Sequence, residues 1–277
     1  MKVFEALRKT EDMLKKQGIE DFKSDARFLM QYFLGCSSGE YILRQRDEIG
    51  ESFFELVQKR LSGIPVQYIT ESAEFMGFEF YVNENVLIPR QDTEILVEKA
   101  LEFLKGKENP NIYDICTGSG CIAISVSKMA KVKVKALDIS ERALSIAKIN
   151  AERNMTDVTF LKDDILNTNI DFSGADLILS NPPYIRTEDI EKLDVTVKGA
   201  EPYIALDGGN DGLKFYRKIS KIAIDSLNNG GAVIFEIGFD QGNDLKEILT
   251  LAGFNDVEII KDYSGNDRVA YAVKKEI

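Results

Sequence analysis

From residue 111 onward, short apolar runs alternate with helix-length amphipathic segments, and this alternation leaves few folds open. The runs predict strands at 111–116, 132–138, 157–161, 175–181, 231–237, 255–262 and 268–274. The segments between them predict helices at 93–106, 120–130, 140–153, 212–228 and 241–252. A helix between successive strands carries the chain back across a sheet, so neighbouring strands run parallel. The last two strands are joined by the loop Asp262–Arg268, too short for a helix, so the final strand is expected antiparallel. The expectation is an α/β protein with a doubly wound, seven-stranded sheet.

The first 70 residues carry a different pattern. Val3, Phe4, Leu7 and Leu14 fall on one helical face. Ser24 is expected to cap a helix bearing Phe28, Leu29, Tyr32 and Phe33, which Gly35 ends. Glu51 to Leu61 repeats the pattern with Phe53, Phe54 and Val57, and Gly63 ends it. Glu74 to Val82 then alternates around Gly77 and predicts a β-hairpin. Val86–Arg90 is extended, and a helix is expected from Asp92-Thr93-Glu94 with a capping side chain. Three regions follow: a helical bundle over 1–70, a hairpin linker over 71–91, and the α/β domain over 92–277.

Composition excludes several chemistries. The 277 residues contain no histidine, which removes His-based acid–base catalysis, Ser–His nucleophiles and His-ligated metals. There is no tryptophan, so aromatic stacking falls to Tyr and Phe. Cys36, Cys116 and Cys121 are few and lack CxxC spacing, which points to a reduced, cytoplasmic protein with no metal site. No apolar run approaches the ~20 residues of a membrane span, and no signal peptide is seen. A net charge of −11 argues against a dedicated nucleic-acid binder, which carries a basic face.

Two strand ends carry the candidate chemistry. Asp114-Ile115-Cys116-Thr117-Gly118-Ser119-Gly120 joins the first sheet strand to a helix. Gly118 and Gly120 let the backbone approach a ligand, and the helix start offers free N–H groups. Asp138 ends the next strand, where a carboxylate can accept both hydroxyls of a ribose. Two cofactor classes fit the loop. One is a dinucleotide, with its pyrophosphate on the glycines. The other is S-adenosylmethionine, with Asp114 steering its ammonium group. Asp163-Asp164-Ile165, after the third strand, suits an adenine: an acid for the amino group and an apolar side chain over the ring.

Asn181-Pro182-Pro183-Tyr184 follows the fourth strand. The prolines stop the strand and hold a carboxamide on stiff backbone. In a doubly wound sheet this corner lies beside the cofactor crevice. The Asn181 oxygen and the Pro182 carbonyl can each accept one N–H of a planar amide or amine, and Tyr184 can pack on its flat face. That arrangement suits methyl transfer to a planar –NH2 more than hydride transfer, which would leave the corner idle.

On these residues the chain closely resembles the PrmC/HemK family, release-factor-specific protein-(glutamine-N5) methyltransferases. Further landmarks are Arg60-Leu61-Ser62-Gly63-Ile64-Pro65-Val66-Gln67-Tyr68, Glu74-Phe75-Met76-Gly77, Ile88-Pro89-Arg90-Gln91-Asp92-Thr93-Glu94, Glu201-Pro202 and Ala205-Leu206-Asp207-Gly208-Gly209. The resemblance spans nearly the whole chain and implies a class I methyltransferase fold. It implies S-adenosylmethionine as methyl donor and S-adenosylhomocysteine as product. It also implies cofactor contacts at Asp114, Cys116, Thr117, Gly118, Ser119, Gly120, Asp138, Asp164, Ile165 and Asn181. Catalysis would fall to Asn181, Pro182 and Tyr184, with Pro183 and Arg90 also at the substrate. The partners it implies are peptide chain release factors, gripped by the N-terminal helices, for a cytoplasmic monomer with no stable nucleic acid and no membrane. Two positions depart from the family pattern: Cys116 stands where many relatives have glycine, and Ile165 where some have tryptophan. An amino-directed nucleic-acid methyltransferase is the alternative, since such enzymes share Asn-Pro-Pro-Tyr; a binding module without catalysis leaves both strand ends unexplained.

Overall fold

The computed structural model describes residues 1–193 and 198–275. It divides into two compact units, one built on Met1–Ser72 and the other on Ala73–Leu193 with Glu201 onward.

The first unit contains helices α1 (Val3–Lys16), α2 (Phe22–Leu34), α3 (Ser38–Leu43), α4 (Phe53–Leu61) and α5 (Val66–Thr70). Its core gathers Val3, Leu14, Leu29, Met30, Phe53 and Val57. Phe33 meets Phe53 edge-on, with ring centroids 5.5 Å apart. Gly35 ends α2 in the left-handed conformation (φ 58°), as expected. Other expectations need correction. Ser24 lies inside α2, which starts at Phe22 after Asp21. The buried stripe of α1 is Val3, Ala6, Thr10 and Leu14, which turns Phe4 outward. Phe28 and Tyr32 are likewise exposed, because Asp25, Ala26, Leu29 and Met30 form the buried face of α2. Asp25 is drawn inward by Arg60, whose Nε donates to the buried Asp25 Oδ2 at 2.6 Å.

The second unit opens with a hairpin, β1 (Ala73–Phe75) and β2 (Phe78–Phe80), turned at Met76 and Gly77, both at positive φ. Phe75 and Phe80 are fully buried in the same cluster as Leu96 and Ala123. A single 3-10 turn, Gln91–Thr93, leads into α6 (Glu94–Leu104). No side chain caps α6, contrary to expectation: Asp92 is turned away to Arg268 at 3.2 Å.

The sheet follows: β3 (Ile112–Ile115), α7 (Cys121–Ala130), β4 (Val134–Asp138), α8 (Glu141–Asn154), β5 (Val158–Lys162) and β6 (Ala175–Ser180). Then come a short α9 (Thr187–Ile190), α10 (Lys214–Ser226), β7 (Leu227–Glu236), α11 (Gly242–Ala252), β8 (Asn255–Lys261) and β9 (Asp267–Val273). The order is β5-β4-β3-β6-β7-β9-β8, with β9 antiparallel to both neighbours. This is the seven-stranded, doubly wound sheet read from the sequence. Side chains alternate between its faces. Leu177 and Leu179 pack in one cluster with α6 and α7, and Ile178 packs in the other with Tyr216 of α10 and Leu245 of α11. From β3 the chain steps to β4 and β5 on one side, then to β6 on the other. A crevice therefore opens at the carboxyl ends of β3 and β6, the place where such sheets hold ligands.

Candidate active site

β3 and β6 are paired in parallel, with Ile115 opposite Ser180. The residues just past each strand are therefore brought together. Ser180 Oγ donates to the Ile115 carbonyl at 2.6 Å and ties the two ends. A cleft of about 260 Å³ opens there. Cys116, Thr117, Gly118, Ser119, Asp138, Asp164, Ile165, Asn181, Pro183 and Arg90 line it, as does Thr93. Asp114, Gly120, Pro182 and Tyr184 are not among the lining residues.

The loop after β3 is shaped by left-handed backbone at Cys116 (φ 62°), Gly118 (φ 54°) and Gly120 (φ 82°). Gly120 also abuts two side chains: a Cβ there would lie 2.9 Å from Ile124 Cδ1 and 3.1 Å from Ala147 Cβ. α7 and α8 thus close on the loop only with glycine at this position. Cys116 takes the left-handed conformation without that freedom. Burial raises its thiol well above the ordinary value.

Asp114 is fully buried under the loop. Its Oδ2 accepts the Thr117 hydroxyl at 2.5 Å and the Ala123 N–H at 3.2 Å, capping the start of α7 from below. Its Oδ1 has no hydrogen-bond partner among the described residues. Burial raises this carboxyl to about 7, against the opposing effect of its two donors. Asp138 grips the loop from the side. Its Oδ2 accepts Gly118 N–H at 2.9 Å and its Oδ1 accepts Ser140 N–H at 2.8 Å. Burial raises its carboxyl, and these N–H groups oppose the rise. Each oxygen keeps a lone pair for a ligand hydroxyl. Asp164 accepts Leu166 N–H at 3.0 Å and the Asn167 amide at 2.7 Å, while Ile165 is buried against the cleft.

At the other strand end, Asn181 Nδ2 donates to Thr93 Oγ1 at 3.4 Å. Its oxygen is thereby left to accept. Tyr184 places its ring against the core on the α10 side and donates its hydroxyl to Glu236 Oε1 at 3.3 Å. The segment after Asp207 folds back on this corner. A Cβ at Gly212 would run into the Tyr184 carbonyl oxygen and crowd Gln241 Nε2 at 2.8 Å, so only glycine fits. Arg90 donates to Glu201 Oε2 at 2.6 Å, and Glu201 Oε1 accepts Ile88 N–H at 3.1 Å. The buried Glu201 carboxyl thus straps residues 88–90 along the cleft, while the Arg90 side chain stays partly exposed.

Residues 5–70 match the family described as the PrmC N-terminal domain, and residues 91–208 match the Methyltransferase small domain. The release factor glutamine methyltransferase of Clostridium acetobutylicum is 41% identical over 282 residues, covering 99% of each chain. The chain belongs to the release factor glutamine methyltransferase family. The corresponding protein of Bacillus cereus is 36% identical, over 98% of this chain and 99% of its own. A solved methyltransferase from Pyrococcus furiosus shares the fold, with a TM-score of 0.53 over 80% of this chain and all of that one, at 23% identity.

Membership makes this chain a methyltransferase and sharpens what to ask of the cleft. Its residues fit an adenosine-bearing, positively charged cofactor. Asp138 offers a carboxylate with spare acceptors, Ile165 an apolar wall, and Asp114 an orphaned buried oxygen beneath the loop. Sequence reading passed over Asn150, which is buried and holds the site together. Its Nδ2 donates to the carbonyls of Ser119 (2.9 Å) and Tyr81 (3.0 Å), and its Oδ1 accepts Tyr81 N–H at 2.7 Å. A polar residue at a core position of an amphipathic helix was the one available signal. Thr93 and Glu236 were also missed as neighbours of Asn181 and Tyr184.

Proposed function

We propose that this chain transfers a methyl group from S-adenosylmethionine to the side-chain amide nitrogen (N5) of the glutamine in the Gly-Gly-Gln motif of peptide chain release factors. The observation that carries the reading is the meeting of Asn181 with the Asp114–Gly120 loop in one cleft, in a chain of this family. Bound there, S-adenosylmethionine supplies a methyl group on a positively charged sulfur, which is electrophilic without further activation. The chain's own residues supply binding and aim. Asp138 takes the ribose hydroxyls, Asp164 and Ile165 the adenine, the backbone of 116–120 the amino-acid portion, and Asp114 supports its ammonium group. Asn181 Oδ1 and the Pro182 carbonyl accept the two N–H groups of the glutamine amide, with Pro183 in the wall around it and Tyr184 anchoring the corner to the core. An amide nitrogen is a weak nucleophile because its lone pair is delocalised. Holding both N–H bonds against fixed acceptors turns that lone pair toward the cleft, and exclusion of water keeps it there. The nitrogen sheds its surplus proton readily, so a chain without histidine needs no strong base.

The helical unit carries exposed Phe28, Tyr32, Ile42 and Leu43, a surface suited to hold a protein partner. On this reading the enzyme works in the cytoplasm, and its −11 charge suits a protein substrate better than a nucleic acid. The test uses purified protein with tritiated S-adenosylmethionine and a bacterial-type release factor. The factor should be labelled, and a Gln-to-Ala change in its Gly-Gly-Gln loop should abolish the label. Undiminished labelling of the altered factor overturns the assignment.

A further inference from the structure

We propose that Gln241 is a positioning residue for methyl transfer: its carboxamide pins the far end of Asn181-Pro182-Pro183-Tyr184 and so sets where the Asn181 oxygen and the Pro182 carbonyl meet the substrate. This rests on the reading of that corner as the acceptor for the substrate amide. The corner is stiff. Each proline ring fixes φ at about −65°, and a residue that precedes proline is held extended, which applies to Asn181 and Pro182. A stiff run takes its aim from its two ends. Ser180 holds the first. It ends β6, opposite Ile115 of β3 and Phe235 of β7, and its hydroxyl donates to the Ile115 carbonyl at 2.6 Å.

The other end is the peptide unit between Tyr184 and Ile185. A peptide unit is planar, so a hydrogen bond at each edge fixes its orientation. Its N–H donates to the Leu206 carbonyl at 3.0 Å. Its carbonyl accepts from Gln241 Nε2 at 3.1 Å. Gln241 lies in the turn between β7 and α11 and is the one buried glutamine among the described residues. The two ends of its carboxamide cannot be exchanged. Oε1 accepts Gly238 N–H at 2.9 Å, and a backbone N–H can only donate. The –NH2 therefore faces two carbonyls, which can only accept: Tyr184 at 3.1 Å and Gly212 at 3.4 Å. One side chain thus joins the turn at 238–241, the segment at 208–212 and the corner. The backbones around it are in close contact. A Cβ at Gly208 would lie 2.8 Å from Tyr184 Cα, and a Cβ at Gly212 would lie 2.8 Å from Gln241 Nε2. Gln241 is not among the residues that line the cleft, so its effect reaches the substrate through Tyr184 and the prolines. Arg186 and Asp240 tie the same two segments at the surface, 2.9 Å apart, in a partly exposed ion pair of the kind that contributes little.

The experiment uses the full chain with Gln241→Met and Asp240→Asn. Methionine keeps the length of the side chain and removes its hydrogen bonds. It should lower kcat for release-factor methylation by about tenfold to a hundredfold, while S-adenosylhomocysteine affinity stays within about twofold. Asp240→Asn loosens the same turn from the surface and should leave kcat within about twofold. A second readout needs neither activity nor a variant. In ligand-free protein labelled with 15N at glutamine side chains, one amide pair should exchange with water far more slowly than the rest. The proposal is overturned by Gln241→Met turnover near wild type, by equal losses of turnover and S-adenosylhomocysteine affinity, by an equal loss of turnover in Asp240→Asn, or by glutamine amides that all exchange alike. A wild-type enzyme that leaves release factors unlabelled would instead overturn the proposed function, and the exchange of the glutamine amides would still decide whether the Gln241 carboxamide is held.

Discussion

Asp114→Asn should make the ligand-free protein more stable at alkaline pH while weakening its hold on cofactor. The native Asp114 Oδ2 accepts both Thr117 and Ala123, and Oδ1 has no partner among the described residues. An asparagine oxygen in place of Oδ2 keeps both bonds, and its –NH2 stands where the orphan was, at a cost that does not depend on pH. What changes with pH is the charge. The carboxyl is raised to about 7 by burial, above its ordinary 3.8. A group raised in this way contributes stability that is complete below about pH 4 and lost as pH rises through about 7. Between pH 5 and pH 7 the wild type loses about 1.4 kcal/mol per unit from this group, roughly 3 kcal/mol in all, and the neutral variant loses none of it. Urea unfolding of both proteins without ligand, at pH 5 and pH 8, measures the difference. The stability of Asp114→Asn relative to wild type should rise by roughly 3 kcal/mol between the two conditions. Titration with S-adenosylhomocysteine should show about tenfold weaker binding, since the variant cannot answer an ammonium group. A stability gap that does not change with pH would refute the view of Asp114 as a carboxylate held in a costly charged form.

Arg60→Met should destabilise the helical unit by about 3–5 kcal/mol, because Asp25 would be left buried without its partner; adding Asp25→Asn should recover most of the loss in urea unfolding. Gly212→Ala places a methyl group against the Tyr184 carbonyl on left-handed backbone, at a cost of about 2 kcal/mol or more. It should displace the Asn181–Tyr184 corner, so steady-state assays should show turnover falling well over tenfold while S-adenosylhomocysteine affinity holds; parallel losses in both would refute a local effect.

What the sequence made legible was local or periodic. The strand–helix alternation over 111–274 needed only hydrophobic period and chain direction, and the antiparallel last strand needed only the short loop Asp262–Arg268. The two candidate ligand-binding turns were legible because strand ends in a doubly wound sheet converge by topology. The start of α2 was misjudged at Ser24, which is enclosed in the helix, and at Asp92-Thr93 the helix start was right but its side-chain cap was not, because Asp92 is committed to Arg268. Helices α3 and α5 went unread because five or six residues span less than two turns and show no period. The supports of the site were invisible for another reason. Asn150 reaches Tyr81 across 69 positions, Asn181 reaches Thr93 across 88, and Arg90 reaches Glu201 across 111. Such pairs leave no local pattern, and only the folded sheet brings them together.

Asp114, Asp138, Glu201 and Glu236 each hold a segment around this site in place. Asp114 holds the start of α7, Asp138 the glycine loop, Glu201 the strap at 88–90, and Glu236 the hydroxyl of Tyr184. Burial raises all four carboxyls from their ordinary values. Desolvation is the first cause of each rise, so a positive charge in the cleft favours the ionised form of these carboxyls. The methyl donor proposed here carries that charge on its sulfur, and the demethylated product does not. The same acids that hold the loops in place therefore favour the charged donor over a product of nearly equal shape, which lets one set of residues serve both architecture and turnover.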